Sequence, residues 1–410
     1  MSEILFLAHR IPFPPDRGDK IRSHHLLRRL AAIAPVHVAT FADDEQDTAH
    51  EVELALTARS HCLVRRARPL ALAGALALAR GLPVSLTAFH DRRIAAYVAQ
   101  TLRQRPISTI FVFSGQMAQY VPADFAGKII VDFVDVDSAK FEAYAHDGRG
   151  PMAWVHAREG RLLAAEEARI ATRAQASLFV STEEAALFAA RLAPQDRARA
   201  NLVALGNGID TGLFDPATVA PEPRLAALSG PPLIFTGQMD YPPNVAAVIR
   251  AATRIMPLIR KTVPDASFHI VGRKPAPEVL ALEGVNGTHV WGRVDDVRPW
   301  LKGADLALVP LEIARGIQNK VLEAMAMTLP VVASPQAATG IPAVAARDLA
   351  VGVSDADLAA ACLALLADRP AARQIGLAAR RFVESAHNWE AVLAPLAGLV
   401  GCPRGRRHAA

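Results

Sequence analysis

The sequence predicts an α/β protein built from two doubly wound domains, each a parallel sheet flanked by helices. Three observations lead there. Short apolar runs rich in β-branched residues alternate with helical patterns from end to end, which is the signature of βαβ units. A proline- and alanine-rich stretch, Asp215 to Pro232, interrupts the pattern midway, after which it restarts. The chain is 410 residues long and 51% hydrophobic, enough for two cores.

Taken in order, the first-half strands are expected at Ile4–Ala8, Val36–Phe41, Cys62–Arg65, Thr109–Phe113, Ile129–Phe133, Ser177–Val180 and Leu202–Leu205. The glycine-rich turn Gly206–Asp210 follows. The second half supplies Leu233–Thr236, Phe268–Val271, Thr288–Trp291, Asp305–Val309, Pro330–Ala333 and Leu349–Val353. This divides the chain into a first domain at 1–210, a linker at 211–232 and a second domain at 233–385. A C-terminal helix at 386–400 is expected to pack back on the first domain, ahead of a basic tail at 401–410. Ligands of such sheets bind at the carboxyl ends of the strands, in a cleft expected between the domains.

Composition narrows the function. The net charge of +5 comes from interspersed acids and bases, with Arg404, Arg406 and Arg407 contributing from the tail. No basic stripe studded with aromatics points to nucleic acid. The tail reads as a solvated terminus, with contact to an anionic membrane surface left open. Cys62, Cys362 and Cys402 have neither pairing nor metal spacing, which fits a reducing cytoplasm. Ile4–Ala8 is a first strand and not a leader. The longest apolar run, Leu70 to Ala79, is too short to span a bilayer; it reads as a packed helix or as an element touching a membrane.

The chemistry concentrates in RGIQNKVLEAMAMTLPVVAS, Arg315 to Ser334. A helix opening at Arg315-Gly316-Ile317 would offer free amides, a positive dipole end and a guanidinium, all suited to phosphate. One turn on, Lys320 and Glu323 are three apart and share a face. A cation beside a phosphate site and a carboxylate able to accept two hydroxyls match a nucleoside diphosphate. An exposed salt bridge between the two is the alternative.

With FTGQMDYPPN (Phe235–Asn244), HIVGRKP (His269–Pro275), WGRVDDVRPWL (Trp291–Leu301), GNGIDTGLFDP and HNWE (His387–Glu390), this stretch resembles the GT-B glycosyltransferases of family 4. PFPPDRGDKIR (Pro12–Arg22) and DFVDVDSAK (Asp132–Lys140) are most similar to the sugar transferases encoded with exosortase/PEP-CTERM exopolysaccharide systems. The resemblance covers nearly the whole chain. It implies the GT-B fold and transfer of a sugar from a nucleotide diphosphate donor to a glycan or lipid-linked acceptor, with retention of configuration. It also implies no cofactor and no metal, and a cytoplasmic location that leaves peripheral contact at the inner membrane face open.

Carried across, the resemblance gives Glu323 the ribose hydroxyls and sets Lys320 against the diphosphate. Where the family often has a sugar-holding glutamate, this chain has Arg315, better suited to phosphate. The family's Arg and Lys after the first strand of the second domain are missing: Gly237 is followed by Gln238, Met239, Asp240 and Tyr241. Arg273 and Lys274 could supply that charge, or form a solvated turn. Asp240, Tyr241 and Asn244 would line the sugar side, unless Pro242-Pro243-Asn244 is only a turn and cap. Arg315, Lys320 and Gly316 would neutralise the departing diphosphate.

In the first domain Gly18 lets a loop approach a ligand, and Asp19 or Ser23 can cap the next helix. Arg17 and Arg22 would face phosphate or an anionic acceptor, or else solvent. Asp135 is the candidate catalytic or acceptor-orienting carboxylate. Asp135-Val136-Asp137 also resembles the metal pair of the unrelated GT-A enzymes. Glu166 and Glu167 read as a salt-bridged helix face. Two further readings stay open, a nucleotide-sugar epimerase of the same fold and a non-catalytic binder. An NAD-dependent oxidoreductase is disfavoured because no G-x-G-x-x-G follows the first strand.

Overall fold

The computed structural model describes residues 2–147, 150–314 and 316–401. All thirteen apolar runs form strands: β1 (Glu3–Ala8), β2 (Val36–Ala42), β3 (Ser60–Arg65), β4 (Ile107–Phe113), β5 (Lys128–Val134), β6 (Ala176–Phe179), β7 (Leu202–Ala204), β8 (Pro232–Thr236), β9 (Ser267–Val271), β10 (Thr288–Gly292), β11 (Leu306–Val309), β12 (Val331–Ala333) and β13 (Ala350–Val351). They were legible because strands covered on both faces read as continuous apolar runs.

The chain separates into two compact units, one running up to Gly206 and resuming at Leu393, the other Asn207–Val392. The first holds a seven-stranded sheet in the order β3-β2-β1-β4-β5-β6-β7, with parallel neighbours throughout. Phe6 on β1 pairs with Val38 and Phe111 on the flanking strands, and its ring stacks on Phe111 at 5.6 Å. Between β1 and the helix Gly18–Ala31 runs the PFPPDR loop. That helix is anchored to β5 by a buried ion pair, Arg22 Nε to Asp132 Oδ2 at 2.9 Å. The short helix Leu396–Val400 also belongs to this unit; the Val400 carbonyl accepts from Thr109 Oγ1 at 3.4 Å. The preceding turn Trp389–Val392 stays with the second unit.

The second unit is a six-stranded parallel sheet in the order β10-β9-β8-β11-β12-β13. The stretch expected as a linker is packed onto this unit. Glu222 N donates to Pro299 O at 2.9 Å, and the Arg224 guanidinium lies over the rings of Trp291 and Trp300. Apolar surface on the proline-rich segment therefore finds cover within the domain that follows it.

Both strand orders reverse once, at β1/β4 and at β8/β11. In such sheets the crevice outside the carboxyl ends at that reversal is the ligand site. Among the described residues no helix is long and apolar enough to cross a membrane.

Candidate functional site

At the carboxyl end of β8 the chain turns at Gly237, whose φ of 155° is a conformation that side chains disfavour. A Cβ there would stand 2.9 Å from Asn244 Nδ2 and 3.3 Å from Lys320 Cε, so glycine is what lets these two side chains approach. Asn244, in the helix Pro242–Arg250, donates through Nδ2 to Gln238 O at 2.9 Å. Its Oδ1 accepts from Lys320 Nζ, also at 2.9 Å. The same ammonium lies 5.1 Å from the centre of the buried Phe235 ring.

Lys320 and Glu323 stand on the helix Asn319–Ala326, which buries Val321, Leu322, Ala324, Met325 and Ala326. Its apolar face sets the helix against β11 and β12 and turns the other face toward the strand ends. The helix was expected to open at Gly316 and instead begins at Asn319. Gly316 has φ 65° and Gln318 an extended backbone, so the chain reaches the first helical residue through an irregular turn. Arg380 donates to the Ala326 carbonyl at 2.6 Å and so satisfies the far end of the helix.

The electrostatics follow from burial. Desolvation lowers the Lys320 pKa to about 8 against the opposing pull of Glu323, so the side chain remains a cation at neutral pH. Desolvation likewise raises Glu323 to about 6, against Lys320. The exposed salt bridge that was the alternative is not formed, since Lys320 turns to Asn244. Among the described residues the Glu323 carboxylate has no hydrogen-bond or ion-pair partner, and it is half-buried.

The neighbouring loops are pinned. Arg250 is buried and donates to the Pro310 carbonyl at 3.1 Å, while Asp355 holds its Nε at 2.6 Å. Ser334 Oγ donates to Leu311 O at 2.6 Å. A Cβ on Gly340 would stand 3.2 Å from Ile317 Cγ1. Arg273, after β9, donates to Gln238 Oε1 at 3.0 Å, and Gln238 Nε2 donates to Asp240 Oδ1 at 2.5 Å.

In the first unit the carboxyl end of β1 delivers His9 and Arg10. The buried His9 ring stacks on Phe113 at 5.7 Å, with Nε2 3.4 Å from Asp19 Oδ2. Burial lowers the His9 pKa although Asp19 opposes it. Arg10 bridges Asp19 at 2.8 Å and Asp43 at 2.6 Å. Burial would push the Asp19 carboxyl up, but hydrogen bonds from His9 and Arg10 outweigh it and hold the group well below the usual carboxylate range. Nearby, Ser114 and Val134 end β4 and β5 with φ of 76° and 69°. A β-branched residue at positive φ is strained, and such strain tends to gather at functional sites.

Residues 230–368 match the family model described as Glycosyl transferases group 1. The second unit is a group 1 glycosyl transferase domain. Among solved structures the chain is similar to sucrose-phosphate synthase from Thermosynechococcus elongatus, at 16% identity and TM-score 0.59, covering 97% of this chain and 98% of that one. HepE from Anabaena, in complex with UDP, aligns at 14% identity and TM-score 0.64 over 98% of this chain and all of its own (100%). WaaG, a glycosyltransferase involved in lipopolysaccharide biosynthesis, aligns at 16% identity and TM-score 0.58, covering 97% and 100%. These likenesses place both domains in the GT-B fold. No curated protein matches the chain.

Within the group 1 domain the structure gathers Gly237, Asn244 and Lys320 directly, with Glu323 one helical turn from Lys320. Gln238 links Arg273 and Asp240 in a separate chain, and Tyr241 is half-exposed at the start of its helix. Arg315 lies outside the described residues, as do Cys402 and the tail from 402 on. In the first unit Gly18 has open space over its Cα. Arg17 does not face free space for an anion, because Asp19 and Asp43 hold it at 3.3 and 3.2 Å. Arg22 is buried against Asp132. Neither Asp19 nor Ser23 caps the Gly18–Ala31 helix; Asp19 is taken by the cations, and Ser23 Oγ donates to Lys20 O.

Asp135 and Asp137 both pair with Lys140, at 3.0 and 3.1 Å, on the exposed side of β5. Among the described residues no group of three or more His, Cys, Asp or Glu is placed to hold a metal. Glu166 pairs with Arg169 as expected of a helix face, whereas Glu167 is buried and accepts from Ser138 N and Oγ at 3.0 and 2.6 Å. His9 was missed by the sequence reading. Its position immediately after the first strand, at the end where ligands bind, was the available signal.

Proposed function

We propose that this protein moves a sugar from a nucleotide diphosphate donor to a glycan or lipid-linked acceptor in exopolysaccharide synthesis, with retention of configuration. The half-buried, unpartnered carboxylate of Glu323, one turn from the oriented ammonium of Lys320 at the strand-order reversal, carries the reading. An ionised Glu323 accepts both ribose hydroxyls. Lys320 faces the diphosphate and neutralises the charge that develops as it departs, the largest contribution a protein group makes to such a step. Asn244 holds Lys320 in place and, with Asp240 and Tyr241, borders the sugar. Arg315, Gly316 and Ile317 would add a guanidinium and loop amides to the phosphate side, and Arg273 a further cation.

HepE in complex with UDP and with UDP-glucose supports a nucleotide-sugar donor. Asp135 is the acceptor-side carboxylate in this reading; its pair with Lys140 is exposed and weakly held. Placement in exopolysaccharide synthesis rests on the PFPPDRGDKIR and DFVDVDSAK motifs. Retention of configuration rests on the family resemblance, as does a cytoplasmic location at the inner membrane face. No cofactor or metal has a role.

Incubating the protein with a panel of nucleotide sugars, with and without membrane glycolipid extract, tests this. Nucleotide release should need the extract. Glu323→Ala should weaken donor binding, and Lys320→Ala should lower turnover more than binding. Unchanged donor affinity in Glu323→Ala would overturn the ribose role. Donor isomerised without extract would mean an epimerase, and donor bound without turnover a binder.

A further inference from the structure

The Leu70–Arg80 helix of the first unit meets its domain through Ala73 and Ala77, the only two of its residues that are buried. Around the rest of its circumference Leu70 and Leu78 are 71% and 56% exposed, and Leu72 and the following Leu82 are exposed as well. Leucines left in water on a short helix indicate a surface meant to be covered. The long helix Pro151–Ala171 joins the same patch. Its Arg158 donates to the Ala77 carbonyl at 3.0 Å and to the Leu82 carbonyl at 3.1 Å, fixing the two helices side by side. One turn before Arg158 stands Trp154, 60% exposed, with Met152 beside it, also exposed.

The charge of this region has one sign. From Leu54 to His90 the chain has five arginines and no aspartate or glutamate. Arg80, Arg158 and Arg161 have no carboxylate partner among the described residues, and Arg80 and Arg161 are exposed. Leucine side chains, an exposed tryptophan and a rim of unpaired arginines are what an element lying in the headgroup layer of an anionic bilayer requires. Tryptophan suits the boundary because its ring is apolar and its N–H is polar. A protein partner covering the patch would need a strongly acidic rim of its own, and this chain offers no such surface run to a second copy in this stretch.

We propose that the Leu70–Arg80 helix, with Trp154 and Met152, is a docking surface for an anionic phospholipid bilayer. The surface stands apart from the donor residues, and the test involves no sugar transfer, so it succeeds or fails independently of the enzymatic reading. The intact protein should float with vesicles of phosphatidylglycerol and phosphatidylcholine, and much less with phosphatidylcholine alone. Added salt should weaken the association. Lipids brominated on their acyl chains should quench tryptophan emission, and Trp154→Phe should remove most of that quenching. The double variant Leu72→Glu, Leu78→Glu should lower partitioning about tenfold or more, with an unchanged melting temperature. These positions are exposed, so folding is not at stake. Flotation of the double variant equal to the parent overturns the proposal. A dimer in light scattering that the double variant dissolves also overturns it, because the face would then be covered by a second copy. Binding to neutral and anionic vesicles alike would remove the arginines from the account and count against it.

Discussion

Glu323 has a carboxylate that the folded chain desolvates without giving it a partner. Its pKa is raised to about 6 from an ordinary value of 4.5. The sign is therefore adverse to the empty protein: this group's contribution to stability is fully present below pH 4.5 and is lost as pH rises through about 6. Glu323→Gln should consequently raise the melting temperature of the ligand-free protein at pH 7, by about 2–4 °C, while weakening donor binding about tenfold to a hundredfold. In the parent protein kcat/KM should rise as Glu323 ionises near pH 6 and fall as Lys320 loses its proton above about pH 8. The Gln variant should lose the acid limb alone. A melting temperature that falls in Glu323→Gln would show the carboxylate to be structural.

At the scale of elements the site depends on how closely strand ends approach each other. A Cβ on Gly272, at the end of β9, would lie 1.6 Å from the Gly237 carbonyl oxygen at the end of β8. Backbone cannot yield there as a flexible side chain would. Gly272→Ala should destabilise the second unit by about 3 kcal/mol or more, read by denaturant unfolding, and should disturb the Gly237 turn that admits Asn244 and Lys320. An unperturbed midpoint would show that the two strand ends can part freely. Strands and their sequence spacing were legible throughout because burial on both faces leaves an uninterrupted apolar run. The start of the Asn319–Ala326 helix was not. Arg315-Gly316 looks like a helix opening in one dimension, yet Gly316 sits at positive φ and the helix begins after an extended Gln318. Backbone angles of that kind are chosen by packing of the loop against Ser334 and Gly340, which lie far along the chain.

Across a whole domain, the decisive contacts join residues far apart in sequence. Arg22 and Asp132 are 110 positions apart and form a salt bridge 1% and 0% exposed. Burial pushes the Asp132 carboxyl up even with Arg22 opposing it. Arg22→Met would leave that carboxylate buried and unpaired, at a cost of about 3–5 kcal/mol; replacing both partners with apolar residues should restore most of it. A single variant as stable as the parent by thermal unfolding would mean that water reaches Asp132. Read along the chain alone, Arg17 and Arg22 looked like ligand-facing cations and Asp135 like a free carboxylate. Folding assigns Arg17 to Asp19 and Asp43, Arg22 to Asp132, and Lys140 to Asp135. The alternation of apolar runs, the reversal of order implied by two βαβ series, and the Lys320–Glu323 spacing were all determined by local sequence, since they depend on periodicity. Which charges are consumed by neighbours, that His9 stands at the end of β1 against Asp19, and that Glu323 alone of its pair is left without a partner were decided by tertiary structure. Pairing and desolvation depend on distance in space, which no spacing along the chain encodes.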